Sequence, residues 1–177
     1  MIHEELTGNT FGRIGRRQTT FVELFVPPSE KEPSYRISFA GKKEFYLEEA
    51  DFKGVSLKVE HPLLLDYQKP WRNIFISKKS ATPEALTEQL QETIESFFGG
   101  WRHPNHYLKN PRMLLTNGNG MLVRGPANLV ELCSELLNAN EIRHTILDSH
   151  NAEAESIQAL FLGPFYIVAD SFKCLKL

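Results

Sequence analysis

The chain has 177 residues and a formal net charge of −2, with 41% hydrophobic and 24% charged residues. This balance is typical of a globular protein with enough apolar side chains for a core. A charge so close to zero excludes a uniformly basic surface of the kind that draws in nucleic acid or anionic membrane. No apolar run approaches the roughly 20 residues that span a bilayer. The N-terminal residues contain no apolar segment of the kind found in signal peptides. We therefore expect a soluble cytoplasmic protein.

Residues 1–18 show no hydrophobic period, and we expect a flexible or irregular N-terminal arm there. This segment contains Arg13, Arg16 and Arg17. They could meet a phosphate or an acidic partner, although such a segment is more often a solvated basic arm. A single α+β domain is expected over residues 19–177.

Residues 20–60 predict an antiparallel β meander with one solvent-exposed face. The segment 21–26 is rich in aromatic and β-branched residues, which favour strands. Apolar and polar residues alternate over 35–39 and 55–59, which is the period of a half-buried strand. The proline-containing stretch 61–70 is the one place where the pattern allows a minor domain boundary.

Residues 71–77 predict another strand, and residues 83–98 predict an amphipathic helix. Thr82 is a suitable N-cap and Pro83 suits the first helical position. Gly99 and Gly100 provide a left-handed C-cap. Apolar residues recur along the helix at spacings of three and four, which defines its buried face: Leu86, Leu90, Ile94, Phe97 and Phe98.

Apolar runs at 113–116 and 121–123 flank the sequence Asn117-Gly118-Asn119-Gly120, and this pattern predicts a β-hairpin. Pro126 then begins a second amphipathic helix. Strands are predicted at 144–147, 157–162 and 165–172. The apolar face of the second helix is expected to contain Leu129, Val130, Leu132, Cys133, Leu136 and Leu137.

The predicted fold class is therefore α+β. An antiparallel meander is followed by a β-α-β-β-α-β-β-β segment, with two amphipathic helices packed on a mainly antiparallel sheet. The order from residue 71 to 147 resembles the ferredoxin-like split βαβ arrangement.

The loop at 99–111 is the part of the sequence richest in groups that could bind something. We predict a binding surface composed of Trp101, Arg102, His103, Asn105, His106 and Tyr107, extended by Arg112 and Arg124. Trp, Tyr and Arg are the residues that most often anchor protein interfaces. The first hypothesis is a non-catalytic protein-binding module, adaptor-like or inhibitor-like, whose partner is another protein. Replacing Arg102 by alanine would then weaken binding and change stability little.

Two alternatives compete with that hypothesis. In one, Trp101 and Tyr107 fold back to cap the core while Arg102 pairs with a carboxylate. In the other, the chain is a small-ligand-binding or hydrolytic enzyme domain, in which His103 or His106 acts as acid or base and Arg102 clamps an anion.

No metal or cofactor is expected. His103 and His106 flank Pro104 and have no third ligand at suitable spacing. Nucleic acid is disfavoured because the acidic helix 83–98 directly precedes the loop. Cys133 is expected to be a buried, inert thiol, whereas Lys173 and Lys176 could lower the pKa of Cys174. The pattern indicates no particular oligomeric state.

Overall fold

A computed structural model describes residues 8–27, 32–150 and 156–177. The predicted α+β class is confirmed, since four α-helices accompany eleven strands in this part of the chain. The chain divides into two compact units. We call Met1–Leu64 with Glu155–Leu177 the sheet unit, and Leu65–Ala154, which is inserted in the sequence between its two parts, the helical unit.

The described strands of the sheet unit form one antiparallel sheet with the order β11-β3-β2-β1-β5-β9-β10-β4. Strands from both ends of the chain therefore lie in the same sheet. The strands are β1 (Gly8–Arg17), β2 (Phe21–Phe25), β3 (Tyr35–Ala40), β4 (Glu44–Tyr46), β5 (Asp51–Lys58), β9 (Gln158–Leu162), β10 (Phe165–Ala169) and β11 (Ser171–Lys176).

This sheet closes on itself. At one end of the strand order, β11 pairs with β3, and at the other end, β10 pairs with β4. Because β3 leads directly into β4 along the chain, and β10 leads directly into β11, these two pairs join the ends of the sheet. The Lys43 amide donates to the Val168 carbonyl at 2.9 Å, and the Asp170 amide donates to the Ala40 carbonyl at 3.0 Å, so the two ladders are continuous. The inner face encloses an apolar core whose largest members include Ile14, Leu24, Ile37, Phe52, Phe165 and Phe172.

Residues 8–17 form β1, which pairs with β2 and β5, so the irregular arm predicted for this stretch is wrong. Ile14 is 1% exposed and belongs to the core. The strand was not predicted because its glycines interrupt the alternation of apolar and polar residues. Gly15 nevertheless has a packing role, since a Cβ at this position would lie 2.1 Å from Cε2 of Phe25. Residues 1–7 lie outside the described residues. The boundary between the units follows Leu64, within the predicted 61–70 stretch, and a single domain over 19–177 stays a prediction.

The helical unit contains a three-stranded antiparallel sheet with the order β7-β6-β8. The buried residues of its three longer helices form one core with Ile74 and Ile76 of the central strand. Its elements are α1 (Leu65–Gln68), β6 (Trp71–Ile76), α2 (Pro83–Phe98), α3 (Pro111–Asn117), β7 (Gly120–Pro126), α4 (Ala127–Ala139) and β8 (His144–His150).

The hairpin predicted around residues 117–120 is wrong, because residues 113–116 belong to helix α3. Pro111 occupies the start of this helix, and Gly118 ends it in the left-handed conformation with φ of 74°. The same Asn-Gly pair that favours a hairpin also suits a helix C-terminus, since both need a residue with positive φ. The segment therefore runs β-α-α-β-α-β, and the four strands of a split βαβ arrangement are not formed by 71–147.

Gly118 is expected to be far less tolerant of substitution than Gly99. Both have positive φ, but a Cβ on Gly118 would lie 2.4 Å from the backbone nitrogen of Lys79, whereas a Cβ on Gly99 would meet nothing within 4 Å. Urea melts should show a loss of about 2 kcal/mol or more for Gly118→Ala, against about 1 kcal/mol for Gly99→Ala. Equal losses would show that the Lys79 backbone yields to the added methyl group.

Candidate functional site

The predicted loop leaves the C-terminal end of α2. Gly99 and Gly100 donate to the carbonyls of Ser96 and Glu95, and Gly99 adopts the left-handed conformation that the sequence predicted. A short 3-10 helix, Pro104–His106, follows. His103 caps this turn, since its Nδ1 accepts a hydrogen bond from the Asn105 amide at 3.2 Å.

A buried carboxylate ties the loop to the rest of the helical unit. The Tyr107 hydroxyl donates to both oxygens of Asp66, at 2.9 and 3.0 Å. Arg102 Nε lies 3.1 Å from Oδ2 of the same carboxylate, and the side chains of Arg102 and Asp66 are only 14% and 7% exposed. We call Asp66, Arg102 and Tyr107 the Asp66 anchor. Because the charges of Asp66 and Arg102 compensate each other, the cluster can lie away from water.

Tyr107 is an internal residue. Its side chain is 0% exposed, and its ring stacks on Phe98 at a centroid distance of 4.7 Å and an interplanar angle of 6°. Gly125 leaves room for this ring, since a Cβ there would lie 3.0 Å from Tyr107 Cδ1. Burial, and secondarily the negative charge of Asp66, raises the pKa of Tyr107, so the hydroxyl keeps its proton and remains a donor.

The loop also covers the outer edge of β7. The Arg124 amide donates to the Tyr107 carbonyl at 2.9 Å, and the Lys109 amide donates to the Leu122 carbonyl at 3.1 Å. Leu108 forms a β-bridge with Val123 between them. An uncovered strand edge is a site of unwanted pairing, so this stretch of the loop protects β7 as well as closing the core.

Three other side chains form an aromatic and cationic surface beside the anchor. The His106 ring meets the Trp71 ring edge-on at 6.3 Å, and Arg124 Cζ lies 5.4 Å from the centre of the Trp71 ring. His106 and Arg124 are exposed, whereas Trp71 is half-buried and donates from Nε1 to the Asp66 carbonyl at 2.8 Å. We call Trp71, His106 and Arg124 the Trp71 patch.

The structure separates the predicted binding residues into groups. Trp101, His103, Asn105 and His106 are exposed, and Trp101 retains 38% of its accessible surface. Tyr107 and Arg102 point inward, as in the alternative in which Tyr107 caps the core and Arg102 pairs with a carboxylate, whereas Trp101, which that alternative also placed on the core, is exposed. That Tyr107 and Arg102 contact a partner stays a prediction. Sequence reading missed their partner Asp66, and it also missed Trp71.

Arg112 does not join the loop surface. It forms an ion pair with Glu84 at 2.8 Å, at the first turn of α2. Helix α2 rises about 1.5 Å per residue, so this pair is roughly 20 Å along the helix from Gly99. Hydrogen bonding to the helix backbone, followed by hydrogen bonding to Arg112, lowers the pKa of Glu84.

The described residues also allow the cysteine, metal and membrane expectations to be compared with the structure. Cys133 is buried, and desolvation raises the pKa of its thiol to about 12, as expected for an inert core cysteine. In the described part of the chain, no group of three His, Cys, Asp or Glu side chains is placed to hold a metal ion. None of the described helices is long and apolar enough to cross a membrane.

The enzyme alternative requires a cavity that brings His103, His106 and Arg102 together. The groove of about 690 Å³ between α2 and α3 is lined by different residues, among them Thr87, Gln91 and Met113. Arg102 is engaged with Asp66, so its guanidinium supports the loop and is not presented to a bound anion. This alternative stays a prediction.

Comparisons with protein-family models, with curated proteins and with solved structures find no match. Function is therefore inferred from the chemistry of the chain's own residues.

Proposed function

We propose that the chain is a non-catalytic protein-binding module, adaptor-like or inhibitor-like, that contacts another protein through the Trp71 patch and the exposed residues of the loop 99–111. The observation that carries this proposal is the position of Arg124 and His106 against the Trp71 ring. Trp and Arg are enriched among the residues that dominate binding energy, and a cation held over an indole ring is partly preorganised.

The anchoring of the loop also supports the proposal. Asp66 fixes it at Arg102 and Tyr107, and β7 fixes it at residues 107–109. A loop that is already ordered loses little conformational freedom when it binds, so more of the contact energy appears as affinity. The exposed Trp101 side chain gives this rigid segment an additional apolar contact.

The test begins with a photoreactive amino acid at Asn105, which is exposed, and a matched control at Glu92, which is exposed on α2. A protein crosslinked from position 105 and not from position 92 is then purified and titrated. Arg124→Ala and His106→Ala should each weaken its binding by about fivefold or more, equivalent to about 1 kcal/mol. Arg143→Ala, which removes an exposed arginine outside both the loop and the Trp71 patch, is the control and should leave the affinity unchanged.

Thermal melts of the same variants distinguish contact from folding. Arg124→Ala and His106→Ala should melt close to the wild-type temperature, because both side chains are exposed. Crosslinking of equal intensity from both positions, or affinity that neither substitution changes, would contradict the proposal.

A further inference from the structure

A second surface lies on the sheet unit, on the outer face of β2, β1 and β5 and of β3 beside them. Val22 and Leu24 of β2 point into the core, so Phe21 and Phe25 lie on the outside. The register places Arg13 opposite Phe25 and Phe11 opposite Lys53 across the two ladders that β1 makes. We call this surface the outer face.

Cations and aromatic rings alternate across the outer face. Lys53 Nζ lies 5.3 Å from the centre of the Phe11 ring, and Arg13 Cζ lies 5.4 Å from the centre of the Phe25 ring. Arg36 Cζ lies 4.7 Å from the Phe21 ring. One cation therefore lies over one ring at each of three neighbouring strand pairs, within the distance at which the attraction is significant.

Of the aromatic rings on the outer face, that of Phe11 is accessible from solvent and that of Phe25 is held in place by packing. Phe11 is 58% exposed, so its ring is accessible from solvent. The ring of Phe25 occupies the space beside β1 that a Cβ on Gly15 would fill, at 2.1 Å from Cε2. The missing side chain at position 15 lets Phe25 lie across its neighbouring strand.

The local charge differs from that of the whole chain. By alternation with the core residues, four basic residues of these strands, Arg13, Arg36, Lys53 and Lys58, lie on the outer face with two acidic residues, Glu23 and Asp51. Asp51 lies opposite Arg13 in the register of β1 and β5. Glu23 is paired with Arg36 at 2.7 Å. Lys173 of β11 extends the face by one strand, since it lies opposite Ser38 of β3.

We propose that the outer face binds single-stranded nucleic acid. Phosphates are complementary to its cations, and aromatic rings and guanidinium planes are the groups on which unpaired bases stack. Neighbouring strands are about 4.8 Å apart, so the ring–cation pairs are distributed over a width of about 15 Å, enough for several nucleotides. The outer face belongs to the sheet unit and shares no residue with the acidic helix α2 or with the proposed protein-binding patch.

The experiment uses the full chain and fluorescein-labelled oligomers of about 12 nucleotides, oligo(dT) and oligo(U), followed by fluorescence anisotropy. Binding should weaken as salt rises from about 50 mM to about 200 mM, because bound phosphates release counterions. Phe11→Ala and Arg13→Ala should each weaken binding by at least about fivefold. Phe11→Trp should retain it, because an aromatic ring remains available for stacking.

Lys78→Ala is the matched control, since it removes an exposed cation from the helical unit and should leave the affinity unchanged. Phe11 and Arg13 are exposed, so their variants should melt like the wild type. No binding to either oligomer at low salt, or binding indifferent to both Phe11→Ala and Arg13→Ala, overturns the proposal. It is equally overturned if a polyglutamate peptide or anionic vesicles bind in a Phe11-dependent manner while the oligomers do not.

Discussion

Asp66→Ala is expected to lower the free energy of unfolding by about 3–5 kcal/mol, the largest loss that we anticipate for a single charged residue of this chain. The substitution leaves the Arg102 guanidinium without its carboxylate in a site where its side chain is 14% exposed. It also removes the acceptor of the buried Tyr107 hydroxyl. An uncompensated buried charge and an unsatisfied buried donor are both costly, and here they arise together.

A double-mutant cycle of Asp66 and Tyr107 measures how much of this loss in the free energy of unfolding comes from the interaction between the two residues. Tyr107→Phe alone should cost about 1–2 kcal/mol, because Asp66 keeps Arg102 as a partner. In the Tyr107→Phe background, Asp66→Ala should cost less than it does in the wild type, since the hydroxyl that it would strand is absent. Arg102→Ala should also destabilise the protein, in contrast to the effect on binding alone that the sequence led us to expect. A loss below about 1 kcal/mol for Asp66→Ala in urea melts would show that the anchor contributes little.

The stability of the folded protein is expected to fall at alkaline pH because of Tyr107. Burial raises the pKa of Tyr107 in the folded protein, whereas in the unfolded chain a tyrosine ionises near its ordinary value of about 10. Above that pH the unfolded state binds fewer protons than the folded state, so stability falls as pH rises. In urea melts repeated at increasing pH, the Tyr107→Phe variant should lose less of its free energy of unfolding at alkaline pH than the wild type does.

Leu90→Ala is expected to cost about 2–5 kcal/mol, the range for a large-to-small change in a packed core. Leu90 is 0% exposed, midway along α2, in the core shared with α4 and β6. Leu132→Ala should cost less than about 1 kcal/mol. Leu132 is 40% exposed on α4, so its predicted place on the buried face of that helix is wrong.

The two leucines form a matched pair, because the substitution is the same and both positions lie inside helices. The difference between their urea midpoints therefore measures burial and not helix propensity. Comparable losses at both positions would mean that Leu132 is covered in solution. Cys133 and Leu129, its neighbours on α4, are fully buried, which shows how narrow the apolar stripe of this helix is.

Elements with strong local signals were predictable from the sequence. The helix predicted over 83–98 is observed as Pro83–Phe98, because Pro83 and the glycine pair mark its ends and the leucines mark its face. The strands of the meander were predicted from the alternation of their apolar and polar residues. Strand β1 was missed because Gly12 and Gly15 interrupt the alternation, and α3 was missed because an Asn-Gly pair suits two structures equally.

The candidate site was predictable in place and not in orientation. The loop's composition identified it as chemically rich, but the direction of Arg102 and Tyr107 depends on Asp66, which lies in a different segment of the chain. No local pattern encodes a long-range pairing of this kind. The cation–aromatic pairs of the outer face are hidden for the same reason, since each joins residues on different strands.

The insertion of the helical unit between β5 and β9 has a consequence for the nascent chain. Val55 pairs with Leu162, so the partner of β5 leaves the ribosome only after all of Leu65–Ala154 has been synthesised. Until then β5 presents an open edge, and the ladder that closes the sheet through β10 and β11 cannot form. The helical unit is continuous in sequence and can complete its core first, since domains generally fold as they emerge. Premature termination after residue 154 would therefore release a chain with one finished core and one exposed sheet edge, which is a substrate for chaperones and a seed for aggregation.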